Sequence, residues 1–372
     1  MAQPMDNTSQ SPPALRGTTR LLRRVRSTLG VDVGGAVLKV AEVVREGGKP
    51  RLLDFAAMPV AGGPLGADPD RTARDLGRLF DERGWSRGRV VAGVSGGVAF
   101  FRHLRLPDLP RSDLLEAARW EGQGQLPYAA EEVLVDYQPL GLDPEGKALV
   151  LMAGAPRRAV EQVMDLFRLA DIELSAVEVD SLAIHRALEQ NGLVEPQPGA
   201  WSLVCDLGND DTTVTVFRSS VPHLVRSFAF SVRALARAVA EALEVSDTEA
   251  FGLLRREGIG PGAAAEEAGA ALAAALVEEV QRSCEYLFYQ DREARSVRVF
   301  LSGGGAAVNG LSRLVEMRVN EGLRSAGAAG VVEAQVTDPI ATLPVDPRLN
   351  PYRRQIGPAY ACAVGLALRE EV

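Results

Sequence analysis

Two aspartates, Asp32 and Asp206, each end an apolar run and open a glycine-containing turn, 174 positions apart in the chain. The first stretch reads Gly30-Val31-Asp32-Val33-Gly34-Gly35-Ala36-Val37-Leu38-Lys39, and the second Val204-Cys205-Asp206-Leu207-Gly208-Asn209-Asp210-Asp211-Thr212-Thr213. An aspartate in this setting can hold a divalent cation, while the turn beside it offers backbone N–H groups to an anion. Lys39 adds a point charge next to the first turn. A third stretch, Val299-Phe300-Leu301-Ser302-Gly303-Gly304-Gly305-Ala306, ends another apolar run in three glycines, where a ligand can approach the backbone closely. One Asp-x-Gly is a weak signal, because any hairpin turn carries it. Two in order, with a glycine-rich strand end after them, meet the needs of a triphosphate: donors on both sides and a metal between.

The elements that position these turns follow from the patterning. Val37-Lys39-Ala41-Val43 alternates against Leu38-Val40-Glu42, so each Asp-x-Gly sits at the head of a β-hairpin. Strands are expected to about Val60, then a helix over 70–84, a strand over 89–96 and another from Val98 to Leu106. The texture then changes, with a helix over 111–126, strands over 133–140 and 148–154, a helix over 157–170 and a strand over 173–179. Val160, Val163, Met164 and Phe167 form the expected buried stripe of that second helix, and Trp120 is expected in the core. We read 100–178 as one inserted αββαβ unit. After a helix over 181–191 and a linker with Pro196, Pro198 and Gly199, the opening pattern repeats from Trp201. Helices follow over 233–243 and 248–256, then a long one over 263–290 with Leu276, Val280, Cys284, Leu287 and Phe288 on one face. A strand over 297–302, a helix over 310–321 and a last helix from Pro358 close the chain. Strand triplets followed by helices in both halves mean α/β lobes with mixed sheets.

The bulk numbers bound the function. At 372 residues the chain exceeds one typical domain. Residues 1–28 carry five arginines and one aspartate, so a net charge of −8 leaves an acidic body, which argues against nucleic acid as a partner. Residues 1–14 are expected to be disordered and 15–26 to be a solvated basic tail, the competing reading being a helix on an anionic membrane surface. Three lysines beside 38 arginines make Lys39 more noticeable. Cys205, Cys284 and Cys362 have no metal-type spacing and read as reduced, buried thiols of a cytoplasmic protein. No apolar run approaches bilayer length, and no signal-peptide core is expected at the N-terminus.

The three turns resemble those of the actin-like ATPase superfamily and, within it, the PilM family of type IV pilus assembly proteins. Asp32 to Lys39 is similar to the first phosphate motif, Asp206 to Thr212 to the second, and Leu301 to Ala306 to the adenosine motif. Glu116-Ala-Ala-Arg-Trp120-Glu121, Leu126-Pro127-Tyr128, Glu132 to Tyr137, Glu279 to Tyr286 and Ile356 to Leu368 carry the more specific likeness. The resemblance covers about 28–372. It implies a two-lobed α/β actin-like fold of duplicated ribonuclease H-like domains with an inserted FtsA-type subdomain. One lobe would be 29–99 and 179–200 with the C-terminal helix 357–372, the other 201–356, and 100–178 the partner-binding insertion. It further implies ATP at Gly34, Gly35, Ala36, Lys39, Gly208, Asn209, Thr212, Thr213, Glu279, Arg282, Gly303, Gly304 and Gly305, with Mg²⁺ at Asp32 and Asp206. The implied partner is the cytoplasmic N-terminal peptide of a PilN-like inner-membrane protein, linking the pilus platform to its motor ATPases. The location implied is cytoplasmic and peripheral to the inner membrane, and self-association stays open.

The chain departs from the family at Gly35 and Ala36, where a hydroxyl-rich loop is usual, and no base for activating water stands out. Binding survives such a change more readily than fast hydrolysis does. Other readings compete. A filament-forming, FtsA-like division protein would use the same cleft, as would the platform protein of a related secretion or DNA-uptake system. A metabolite kinase would need a catalytic aspartate facing a substrate pocket, and none is evident. Gly93-Val94-Ser95-Gly96-Gly97 matches the G-x-S-x-G nucleophile elbow, but a strand, not a helix, is expected after it, and His103, His185 and His223 lack an acid at sensible spacing.

Overall fold

The alternation in the first hairpin buries one residue in two on each face, and the chain stacks these strands into a sheet covered on both sides. The computed structural model describes residues 27–60, 65, 68–194, 200–259, 262–328 and 330–370, the side chains of 268 and 270–272 excepted. The basic tail to residue 26 and the linker at 195–199 therefore lie outside the described residues. In the first lobe, β1 (Ser27–Val33), β2 (Val37–Glu46) and β3 (Lys49–Pro59) form an antiparallel meander. Next to β1, β4 (Val90–Val94) and β8 (Leu174–Val179) run parallel, giving the order β3-β2-β1-β4-β8. The second lobe repeats this plan with β9 (Trp201–Leu207), β10 (Thr212–Arg218), β11 (Val221–Phe228), β12 (Ser296–Ser302) and β13 (Val331–Val336), in the order β11-β10-β9-β12-β13. Each central strand, β1 or β9, carries its aspartate at the end where parallel neighbours also finish.

Helices follow from caps and stripes. In α1 (Pro69–Arg83) the Asp68 carboxylate accepts the Arg71 N–H at 2.9 Å, Pro69 fills the first position, and Gly84 ends the helix at φ 63°. Leu76 and Phe80 of α1 pack with Val163, Leu166 and Phe167 of α3 (Arg157–Leu169) against Leu29, Val31, Leu38 and Val40. Burying each such side chain fully contributes roughly 2 kcal/mol. The other face of this sheet meets α4 (Asp180–Gln190) and α9 (Ala361–Ala367). Ile184, Leu188 and Leu366 also touch Val204, Phe217 and Phe300 of the second sheet, so these two helices fill the space between the lobes. A side chain at Gly365 would collide with the Ala183 backbone, and one at Gly30 with Ala363, which explains both glycines. The second sheet's other face is covered by α5 (Val232–Leu243), α6 (Asp247–Arg256), α7 (Glu266–Gln290) and α8 (Leu311–Ser325).

Several expectations change here. The 100–178 block is not one unit. A separate sheet of β5 (Phe100–Leu106), β7 (Ala148–Pro156) and β6 (Val133–Leu142), in that order, packs under α2 (Arg111–Gln123) through Leu114, Ala118, Val150 and Met152. In contrast, α3 and β8 belong to the first lobe: β8 pairs with β4 and completes its sheet. The stripe on α3 is turned by one position, with Leu166 buried and Met164 half-exposed. Trp120 is 79% exposed, on the solvent side of α2. Residues 96–98 are a short 3₁₀ turn rather than the start of β5. β13 was not expected at all. Its outer backbone is covered by α8, where Asn320 both donates to the Val332 carbonyl (2.7 Å) and accepts its N–H (2.8 Å).

Candidate functional site

At the head of the first hairpin, Asp32 and Lys39 are directly paired residues, and the Lys39 ammonium donates to Asp32 Oδ2 at 2.8 Å. The intervening turn contains Gly34, Gly35 and Ala36. In the second lobe Asp206 pairs with Thr213 across the hairpin and lies beside Ser302 of β12. Gly303 follows at φ 78°, where a Cβ would strike Leu207 O and lie against Asp206 Oδ1 at 2.5 Å. Its N–H donates to Pro358 O at 3.1 Å, tying the turn that continues through Gly304 and Gly305 to the segment entering α9. Gly208 N–H donates to Asp211 O at 3.0 Å and closes the second turn.

Sequence reasoning missed Asp180. It opens α4 immediately after β8, and Gly93 of β4 leaves room for its carboxylate. Cys362 of α9 donates its thiol proton to Asp180 Oδ1 at 3.3 Å, so this cysteine lies in the cleft and not in purely apolar surroundings. Donor atoms of Asp32, Asp180 and Cys362 all lie within 4.8 Å of one another. No glycine motif marks Asp180; the available signal was an acid at the junction of a strand and an amphipathic helix.

The electrostatics follow from crowding. Burial first, then Asp32 and Asp206, push the Asp180 carboxyl well above its usual range. Burial and Asp32 raise Asp206 to about 7, with Lys39 opposing. Burial pulls the Lys39 ammonium down, but Asp32 and Asp206 more than reverse this, so its pKa is raised. Burial, with Asp180, Asp32 and Asp206, holds the Cys362 thiol protonated. Asp180 and Asp206, crowded with Asp32 around one ammonium, hold on to protons that a divalent cation at the same place would displace.

The other expected residues divide. Thr212 is fully buried and its hydroxyl donates to Phe230 O at 2.9 Å, so it braces the lobe. Thr213 is buried beside Gly96. Asn209 donates to Asp210 Oδ1 at 3.1 Å. Glu279 and Arg282 lie on α7, where the Glu279 carboxylate pairs with Arg282 (3.4 Å) and with Arg226 of β11 (3.3 Å); among the described residues their ion pairs do not run to the aspartates. Ser95 accepts the Gly97 N–H at 3.2 Å and caps the 3₁₀ turn, so the elbow-like motif is a turn. His185 stacks on Phe217 between the lobes. His103 of β5 stacks on His223 of β11 at 4.2 Å between ring centres, and its Nε2 lies 2.8 Å from Pro222 O. Beside that stack, a groove of about 220 Å³ opens between β5 and β11, lined by Phe100, Phe101, Arg102, Tyr128, His223 and Val225.

Residues 30–371 match the family model described as "Type IV pilus assembly protein PilM". Among solved structures, a PilM–PilN type IV pilus biogenesis complex is 28% identical with a TM-score of 0.74, over 92% of this chain and 98% of that one. The ethanolamine utilization protein EutJ from Carboxydothermus hydrogenoformans is 13% identical with a TM-score of 0.52, over 98% and 94%, a likeness of fold alone. With the duplicated sheets, this is the two-lobed actin-like ATPase fold. Among the described residues no helix is long and apolar enough to cross a membrane.

Proposed function

The chain belongs to the PilM family of type IV pilus assembly proteins, and from that premise we propose that it is the nucleotide-binding member of a pilus assembly platform that holds a PilN-like peptide. The observation that carries the nucleotide half is the convergence of Asp32, Lys39, Asp180 and Asp206 on one cleft, ringed by glycine turns from both lobes. These residues suit ATP or ADP with Mg²⁺. Asp32 and Asp206 would hold the cation, which keeps much of its own water. Lys39 and the backbone of 34–36 and 208–209 would meet phosphate, and Gly303 to Gly305 would face the nucleoside. When bound, the cation neutralises phosphate charge. Asp180 is the carboxylate available to take a proton from water, but residues 35 and 36 offer no hydroxyl to a developing transition state. The role is therefore mainly binding, with nucleotide setting lobe closure.

The solved PilM–PilN complex is the support for the partner. The groove between β5 and β11 suits a short extended peptide, since it has aromatic walls and lies between two sheet-edge strands. Holding the N-terminus of an inner-membrane protein places this chain on the cytoplasmic face of that membrane and near the pilus motors. One experiment reads both halves: polarisation of fluorescently labelled ADP and ATP, and capture of a synthetic PilN-like N-terminal peptide, for wild type and Asp206→Ala. The variant should lose at least about tenfold in nucleotide affinity while the peptide still binds the cation-free protein. Equal nucleotide affinity in both proteins removes the site assignment, and no peptide capture by wild type removes the partner.

A further inference from the structure

The second phosphate turn carries two consecutive carboxylates, and each reaches across the cleft to a glycine of the first lobe. Asp210 Oδ2 lies so close to Gly35 that any side chain there would collide with it. Asp211 Oδ2 accepts from Ser227 Oγ at 2.8 Å and lies 3.1 Å from where a Cβ on Gly97 would stand. Gly35 belongs to the first phosphate turn and Gly97 to the 3₁₀ turn after β4, so both contacts join the lobes at their tips. On the other side, Asp210 is paired with Arg233, at the start of α5, and accepts from Asn209. Its carboxylate thus stands between the two phosphate turns, against Gly35 on one side and Arg233 on the other.

We infer that Asp210 is the residue that sets which nucleotide this cleft accepts, favouring the diphosphate over the triphosphate. This rests on the nucleotide reading above. A terminal phosphate entering between the turns meets a carboxylate of like charge, whereas a nucleotide one phosphate shorter leaves the Gly35–Asp210 contact in place. Gly35 is then more than a lost hydroxyl: a serine at that position could not coexist with Asp210 where it stands. Arg233 holds the carboxylate in line and offsets part of its charge.

Affinities for Mg·ADP and Mg·ATP, measured by calorimetry on the full chain, test this with wild type, Asp210→Ser and Asp210→Asn. Asp210 is partly exposed and makes no core contact, so both variants should fold. Wild type should favour ADP. Both variants should gain at least about tenfold for ATP and change by less than about threefold for ADP. Gly35→Ser, which displaces the carboxylate instead of removing it, should move the ratio the same way. An ATP-to-ADP ratio unchanged in Asp210→Ser and Asp210→Asn overturns the assignment and leaves the nucleotide site standing. Binding of neither nucleotide by any of the proteins overturns the site itself and the inference with it.

Discussion

Among the three glycines that end β12, only one is required by conformation. Gly303 sits at φ 78°, with Leu207 O and Asp206 Oδ1 where a side chain would go, while Gly304 faces open space. Gly303→Ala combines left-handed strain with a collision against the carboxylate, so it should cost about 2–3 kcal/mol. Gly304→Ala should stay within about 0.5 kcal/mol. Urea unfolding of the two variants checks this, and similar midpoints for both would mean the turn is not held as described. The sequence shows three equivalent glycines; the distinction comes from Asp206 beneath one of them. Asp180 was illegible for a related reason. Its role depends on β8 ending beside β4, a pairing between residues some 85 positions apart, and no local motif records it. Asp32, Lys39 and Asp206 were legible because a hairpin places its own paired residues together.

At the scale of elements, the hairpins and the capped helices were readable from period and capping, which are local. Sheet membership was not. The pattern predicts a strand over 173–179 and its place in the sequence groups it with the insertion, whereas in the fold it completes the first lobe's sheet. β13 escaped notice since Val331–Val336 is a short edge strand with an exposed face, and its cover, Asn320 on α8, is itself a tertiary feature. The contact of insertion with second lobe, β5 against β11, was equally unreadable, and it carries a prediction. Burial first, then His103 and Arg218, push His223 down to about 4. An unfolded histidine titrates near 6.5, so between those values the unfolded chain takes up a proton that the folded one refuses. The stabilisation is complete above pH 6.5 and is lost as pH falls through 4. His223→Phe keeps an aromatic ring against His103 but does not titrate. Between pH 7 and pH 4.5, wild type should lose on the order of 1 kcal/mol more than the variant, the figure being reduced for a partly exposed ring. Parallel pH curves would place the acid sensitivity elsewhere.

For the whole molecule, the question is what nucleotide does to two lobes that already share a core. Ile184, Leu366, Val204, Phe217 and Phe300 join them at the base, while towards the tips Asp210 reaches Gly35 of the first phosphate turn and Asp211 reaches Gly97 of the 3₁₀ turn after β4. A ligand held between the tips would act at the far end from the shared core, next to β11, whose Ser227 donates to Asp211 and which also lines the groove beside β5. Turnover has weaker foundations. Asp180 could accept a proton, but the first phosphate turn has lost its hydroxyls, and losing even one positioned donor typically costs 10²–10³ in rate. On the proposed reading, binding would tolerate the absence of those hydroxyls through backbone donors, Lys39 and a divalent cation. Thermal unfolding with Mg·ADP or Mg·ATP at a hundredfold excess over its own dissociation constant should therefore show about 2.7 kcal/mol of stabilisation, a shift of several degrees. Phosphate release in the same samples should stay near background. Rapid release without any partner would make the cleft a catalytic engine instead of a clamp. Absence of a shift with either nucleotide would remove the nucleotide from this cleft altogether.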